Sequence, residues 1–393
     1  MRSTRATGCL PVLGLLVLGY LVLTLGRDHA HTTGLLFAAA VLLGVLAIMG
    51  RTIGQSIIGK MVMVIFGLAM ISAFLPGHAG DPVRVASLGD SYSSGEGTRA
   101  GGYGYDGSSV FGGTSPLAGS PDCHRSSAAY PRQLFSHYGL PELLFVACTG
   151  ATTEDILNRN HNGELPQLFV LENFVRSGRR LDAVTVGVGG NDLDFRGILE
   201  HCITGNCSAV DPFTFKPGMS RARFVAMLQS VYRRIRGTVG EQVPLFVIGY
   251  PSVFPVAPAC RIPAATTGDL GMPGFDVSEL RHLHDVAAHL NEAIREATTA
   301  EGAIFVDVTW AFDGHEICSS LPFVNGVIAP GLDAWLGDLS VVDVGSFHPN
   351  DKGHACLTST IRKQVPDFKA VTMGPIGRPR PSQVAVGSAK PCG

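Results

Sequence analysis

Apolar positions fall into two regimes along this chain. Over residues 1–80 they form long, nearly unbroken runs, at 9–25, 33–49 and 61–75; beyond residue 80 they form short runs separated by glycine, proline and polar clusters. At 1.5 Å per residue the first two long runs reach about 25 Å, just enough for a bilayer core, and the third is shorter. Arg2 and Arg5 precede the first run, Arg51 and Lys60 separate the second from the third, and Asp28 offsets the arginine between the first two. The positive-inside rule then predicts about three transmembrane helices, an internal N-terminus and everything beyond Gly80 outside. A second reading stays open, in which the third run is the core of a secretory signal cleaved after Ala79.

The short runs predict a different architecture. Val83, Val85 and Leu88 alternate with small residues and stop at Gly89, which gives a buried strand over 83–88 ending in a sharp turn. Further strands are predicted at 143–147, 183–188, 244–250 and 304–308, with Pro251 ending the fourth. Between them, Phe224, Met227, Leu228, Val231 and Ile235 share one face of a helix over 221–236, and Leu283, Ala287, Leu290 and Ile294 share one face of the next. Strands alternating with helices predict an α/β fold with a parallel sheet covered on both faces. Residues after Phe368 turn to Pro, Gly and Ser and predict a disordered tail. The expected organisation is a membrane region over 1–80, a catalytic-size α/β domain over 81–366 and a tail over 367–393.

Charge narrows the function. Thirty Lys and Arg stand against thirty-two Asp and Glu, without a basic run, which argues against nucleic acid as a partner. Of nine cysteines, Cys9 lies in the first apolar run; the others show no CxxC or zinc-finger spacing, so disulfides in an oxidising compartment are the expectation. His282, His284 and His289 lack the i, i+4 spacing of a metal pair and are assigned to the surface or to helix packing. The GxGxxG at Gly102 to Gly107 has no strand before it and no helix after it, so it predicts a loop bordering the site, not a dinucleotide cradle. Neither a metal nor a cofactor is implied.

The candidate chemistry starts at Ser91, which Gly89-Asp90-Ser91 places at the carboxyl end of the first strand, where open α/β sheets carry their sites. A lone serine there usually caps a helix or fills a turn. Three further clusters change that: Gly150 within Cys148-Thr149-Gly150-Ala151-Thr152-Thr153, the run Gly190-Asn191-Asp192, and His348 within Ser346-Phe347-His348-Pro349-Asn350. In order and spacing these four blocks resemble the SGNH (GDSL-type) hydrolase family, most closely its secreted actinobacterial esterases and lipases. The resemblance implies a three-layer α/β/α sandwich with a five-stranded parallel sheet. It also implies Ser91 as nucleophile, His348 as general base, and the backbone N–H groups of Ser91 and Gly150 with the Asn191 amide as oxyanion donors. His354 is expected to support the last helix instead.

The family's usual Asp three residues before the histidine is absent. Gly345 stands there, so the resemblance implies its backbone carbonyl as the group orienting His348, with Asp343 as the alternative. The secreted relatives further suggest sequential bridges, Cys123 with Cys148, Cys202 with Cys207 and Cys260 with Cys318, leaving Cys356 and Cys392 to pair or stay free. The expected function is that of a serine esterase or lipase held at the cell membrane with its catalytic domain outside, or secreted if cleaved. Its substrate would be an ester of a lipid or an acylated glycan. The alternatives are a membrane acyltransferase using the same Ser and His, and a non-catalytic lipid- or glycan-binding derivative of the fold.

Overall fold

A computed structural model describes residues 84–98, 121–138, 142–204, 207, 210–256, 277–326, 345–365 and 392. The three long apolar runs, the GxGxxG segment, Cys260, Asp343 and residues 367–391 lie outside the described residues. Among the described residues, no helix is long and apolar enough to cross a membrane.

Five parallel strands form one sheet: β1 (Arg84–Gly89), β2 (Glu142–Phe145), β3 (Ala183–Gly187), β4 (Leu245–Ile248) and β5 (Ile304–Val306), in the order β2-β1-β3-β4-β5. Register pairs Val85 with Leu143 and Leu88 with Val186, and it sets Gly89 opposite Gly187. Side chains alternate between two cores, as the two-residue period of a strand requires. Val85, Ala183, Phe246 and Ile304 face one, where α2 (Tyr130–Tyr138) and α8 (Asp351–Gln364) pack. Ala86, Leu88, Val184, Val186 and Val247 face the other, covered by α3 (Thr153–Leu157), α4 (Gln167–Arg176) and α6 (Arg221–Val239). Helix α5 (Phe195–Thr204) adds Ile198 and Leu199 to the first core, and α7 (Val277–Ala300) contributes Leu283 to the first core and Leu290, Ala293 and Ile294 to the second. Phe224, Leu228, Val231 and Ile235 of α6 are buried, and Met227 is half-buried at the margin of that face. The sheet is thus the middle of three layers.

The strand order matters for function. From β1 the chain steps one way to β2 and then returns past β1 to β3, so the crevice beyond the carboxyl ends of β1 and β3 is a topological switch point, where open α/β sheets bind ligands. Short helix α1 (Ser91–Ser94) follows β1 there, and a 3₁₀ turn, Asn191–Leu193, follows β3.

His354 sits in the first turns of α8, fully buried. Its Nδ1 accepts a hydrogen bond from the Tyr130 backbone N–H at 3.2 Å, and its ring stacks on Tyr130. Burial pushes its pKa down to about 4 from 6.5. The folded protein therefore keeps His354 neutral to about pH 4, whereas the unfolded chain takes up the proton near pH 6.5. The stabilisation is fully present above pH 6.5 and is lost as pH falls toward 4, up to about 3 kcal/mol. His354→Asn keeps an acceptor for Tyr130 and removes the titration. Between pH 6.5 and 4 the variant should lose less unfolding free energy than the parent, as measured by urea denaturation across pH. Parallel losses would remove His354 as the acid-sensitive group.

Candidate active site

Gly89 ends β1 at φ +138°, and a Cβ there would lie 2.4 Å from the Gly187 carbonyl oxygen, so only glycine allows this approach of strand to strand. The Gln167 side chain clamps the same residue, accepting from its N–H and donating to its carbonyl, each at 2.8 Å. Asp90 then caps α1, its carboxylate accepting from the Tyr92 N–H at 3.0 Å, and Gly95 ends the helix at φ +103°. This sharp turn leaves Ser91 with 6% exposure on the wall of a cleft of about 960 Å³, open mouth included.

His348 arrives from the loop before α8. Asn325 fastens that loop at three points and ties it to the chain after α1 at a fourth: its amide donates to the Gly345 carbonyl at 3.2 Å and to the Gly97 carbonyl at 2.8 Å, its N–H donates to the His348 carbonyl, and its carbonyl accepts from the Phe347 N–H. Phe347 is held at φ +59°, a left-handed backbone that costs a residue with a side chain about 1–3 kcal/mol. Its buried ring packs against Phe254, and its carbonyl accepts from the Tyr92 hydroxyl at 2.8 Å. The result is that His348 Nε2 lies 2.8 Å from Ser91 Oγ and His348 Nδ1 lies 2.9 Å from the Ser346 carbonyl oxygen. A carbonyl only accepts, so the Nδ1 side carries the proton and Nε2 is free to accept the serine proton.

That geometry corrects one expectation. The carbonyl at Nδ1 belongs to Ser346, not Gly345, and the Gly345 carbonyl accepts from Asn325 instead. The left-handed turn at Phe347 carries the physical reason, because it reverses the chain between the carbonyl and the ring and brings the nearer peptide under Nδ1. Asp343 lies outside the described residues.

Gly150 and Asn191 line the same cleft as the Ser91–His348 pair. Gly150 has φ +74°. Asn191 Nδ2 donates to the Ala151 carbonyl at 3.0 Å, tying the amide to the Gly150 loop. Asp192 reinforces the same junction by accepting from the Thr153 N–H at 3.0 Å and from its hydroxyl at 2.6 Å. Burial raises the Asp192 carboxyl above its ordinary range, and the Thr153 bonds oppose that rise. A further link, which the sequence reading missed, is Tyr250 after β4: its hydroxyl donates to Asp90 and accepts from the Gly190 N–H at 3.1 Å. The nucleophile turn and the Asn191 turn are thereby joined through one phenol. Burial pushes Asp90 up to about 7, against the lowering effect of the Tyr250 bond. The only signal in sequence was a tyrosine at the carboxyl end of a strand, and nothing signalled Asn325 or Gln167.

Phe195, Leu199, Val253, Ala287 and Leu290 give the rest of the cleft a largely apolar wall, in which Arg196 is the charged residue. Cys123 is bonded to Cys148, directly before the Gly150 loop, and Cys202 to Cys207. Cys318 is disulfide-bonded, while Cys260, its expected partner, lies outside the described residues. Cys356 on α8 is bonded to Cys392, tying the chain's penultimate residue to the last helix. His282 Nε2 meets the Val210 carbonyl at 2.7 Å, His284 Nδ1 meets Ser252 Oγ at 2.9 Å, and His289 is exposed. Among the described residues no group of three side chains is placed to hold a metal ion.

A family model described as GDSL-like Lipase/Acylhydrolase matches residues 87–356. Lipase 1 of Streptomyces coelicolor is 27% identical over 274 residues, 68% of this chain and 81% of that protein. The lipase of Streptomyces rimosus is likewise 27% identical, over 270 residues, with coverage of 68% and 81%. Among solved structures, an extracellular lipase from Streptomyces rimosus superposes with a TM-score of 0.50 at 25% identity, covering 71% of this chain and 97% of that one.

Proposed function

The chain belongs to the GDSL-like lipase/acylhydrolase family, and we propose that it is an exported serine esterase or lipase that cleaves carboxylic esters through an acyl-Ser91 intermediate. The observation that carries this reading is the contact of 2.8 Å between Ser91 Oγ and His348 Nε2, with His348 Nδ1 on the Ser346 carbonyl.

In the proposed reaction, His348 Nε2 takes the hydroxyl proton as Ser91 Oγ attacks the ester carbonyl carbon. The imidazolium keeps its Nδ1–H on the Ser346 carbonyl, which fixes its orientation and favours its charge. The oxyanion is met by the Ser91 N–H, the Gly150 N–H and the Asn191 amide. An amide side chain suits that place because it donates without a full charge that would hold back the nucleophile. His348 then returns the proton to the departing alkoxide, leaving acyl-Ser91. A water molecule, deprotonated by the same imidazole, attacks the acyl carbon; the tetrahedral adduct collapses to carboxylic acid and free serine. The apolar side chains of Phe195, Leu199, Val253, Ala287 and Leu290 support a hydrocarbon acyl chain as the group bound beside Ser91, with Arg196 as the charged residue among them.

The bonded cysteines support an oxidising compartment. With the long apolar runs at 9–25, 33–49 and 61–75, they favour a catalytic domain outside the cell, tethered through about three membrane helices or released by cleavage after Ala79. The test is turnover of p-nitrophenyl esters of increasing chain length, and of phospholipid vesicles, by the full chain in detergent, with an alcohol added as competing acceptor. The expected result is free acid as the main product from both substrate types. Predominant transfer to the alcohol would favour the acyltransferase, and saturable binding without turnover would favour a non-catalytic lipid- or glycan-binding protein.

A further inference from the structure

Of the three oxyanion donors proposed above, the Gly150 N–H belongs to the peptide between Thr149 and Gly150. In a planar trans peptide the carbonyl and the N–H point in opposite directions, so whatever fixes the Thr149 carbonyl also fixes the Gly150 N–H. That carbonyl is gripped from outside the cleft. His161 Nε2 lies 2.7 Å from it and Asn162 Nδ2 lies 3.3 Å from it. Because a carbonyl only accepts, the His161 Nε2 atom must carry the proton. The imidazole also lies close against the loop: a Cβ built on Gly150 would touch Nε2 at 3.4 Å and Cε1 at 3.6 Å. Among the described residues no hydrogen bond occupies the Gly150 N–H, and Gly150 lines the cleft with Ser91 and Asn191.

The grip is itself built. His161 and Glu164 exchange backbone hydrogen bonds at 3.0 and 2.9 Å across Asn162-Gly163, both at positive φ (+48° and +77°), the conformation that Asn-Gly adopts in tight hairpin turns. Arg125 anchors the turn, forming a forked pair with Glu164 and donating to the Ala147 carbonyl at 3.0 Å, next to the bridged Cys148. Asn162 Nδ2 adds a bond of 2.8 Å to the Asp122 carbonyl. A hairpin with this many fastenings sets its two side chains on one carbonyl in a single geometry.

We propose that His161, assisted by Asn162, is a positioning residue for the ester hydrolysis proposed above. Its Nε2–H holds and polarises the Thr149–Gly150 peptide, keeping the Gly150 N–H aimed at the oxyanion. This inference rests on that functional reading. A hydrogen bond accepted by a peptide carbonyl strengthens donation by the same peptide's N–H. The benefit is thus felt where negative charge develops, in the transition state, more than in the bound ester.

The test compares two variants of the full chain with the parent. His161→Phe keeps a ring and removes the donor; His161→Gln removes the ring and keeps an N–H at similar reach. Loss of a complete oxyanion donor costs about a hundred- to a thousandfold, and loss of its alignment should cost less. The expected result is kcat lowered about ten- to a hundredfold in His161→Phe with KM within about twofold, and recovery to within about threefold of the parent in His161→Gln. Asn162→Gly, which keeps the positive φ and removes the second donor, should lower kcat about two- to fivefold with KM unchanged. Equal kcat in the Phe and Gln variants, whether both high or both low, would overturn the inference, as would an effect confined to KM. A parent with no ester turnover would instead overturn the functional reading beneath it, whereas an active parent matched by His161→Phe would overturn this inference alone.

Discussion

Ser91→Ala is expected to lower ester turnover by on the order of a millionfold, the scale seen when a serine hydrolase loses its nucleophile, while the fold survives. The asymmetry follows from what surrounds the residue. Its hydroxyl meets His348 Nε2. The turn that presents it is held by other groups: the Asp90 cap, the Gln167 clamp on Gly89 and the hydrogen bond from the Gly95 N–H to the Ser91 carbonyl. Removing one oxygen from this wall leaves all three fastenings intact. The melting midpoint should therefore move by no more than a few degrees. Substantial turnover in a homogeneous preparation of the variant would exclude Ser91 as nucleophile.

Asn191→Ala carries the second large effect, a fall in kcat of about a hundred- to a thousandfold, or about 2.7–4 kcal/mol of transition-state stabilisation. Asn191 lines the cleft, and its Nδ2 is already committed by one bond to the Ala151 carbonyl. The amide is thereby preoriented and pays little reorganisation when charge develops. The same bond warns of a second consequence, since truncation also releases the Gly150 loop. Steady-state kinetics separates the outcomes: kcat should fall with KM nearly unchanged. A rise in KM alone would make Asn191 a ground-state binding group, outside the oxyanion hole.

The strands were legible because each is a short, mostly buried and mostly apolar run, and only their ends moved. The fourth was expected to reach Tyr250 but ends at Ile248, and its last backbone bond to the fifth runs from the Gly249 N–H to the Val306 carbonyl at 3.1 Å. There Asn291, a buried side chain on α7, accepts from the Tyr250 N–H and donates to its carbonyl at 2.8 and 2.7 Å. The fifth stops at Val306 because Gln364 takes the Asp307 N–H at 2.9 Å. In both places a side chain distant in sequence replaces a backbone partner, and no local pattern records that.

The candidate site divides in the same way. Ser91, Gly150, Asn191 and His348 were legible because each sits in a turn whose residue types advertise it. The parts that hold them were not. Tyr250 reaches Asp90 across 160 positions and Asn325 reaches Gly97 across 228, and such contacts exist only once the sheet is assembled. The carbonyl under His348 was misplaced by one residue because the left-handed conformation of Phe347 carries no glycine or asparagine to announce it. The hairpin at Asn162-Gly163 did carry such an announcement, but its role depends on the Thr149 carbonyl, which only the folded chain brings to it.

The central claim is that the acyl group passes through Ser91, and a rapid acid quench during turnover of a p-nitrophenyl ester tests it most directly. Peptide mass mapping of the quenched protein should find the substrate's acyl mass on the peptide containing Ser91, absent from the Ser91→Ala variant and from protein unfolded before mixing. An acyl group carried on another residue of an actively turning-over enzyme, with the Ser91 peptide unmodified, would contradict the account.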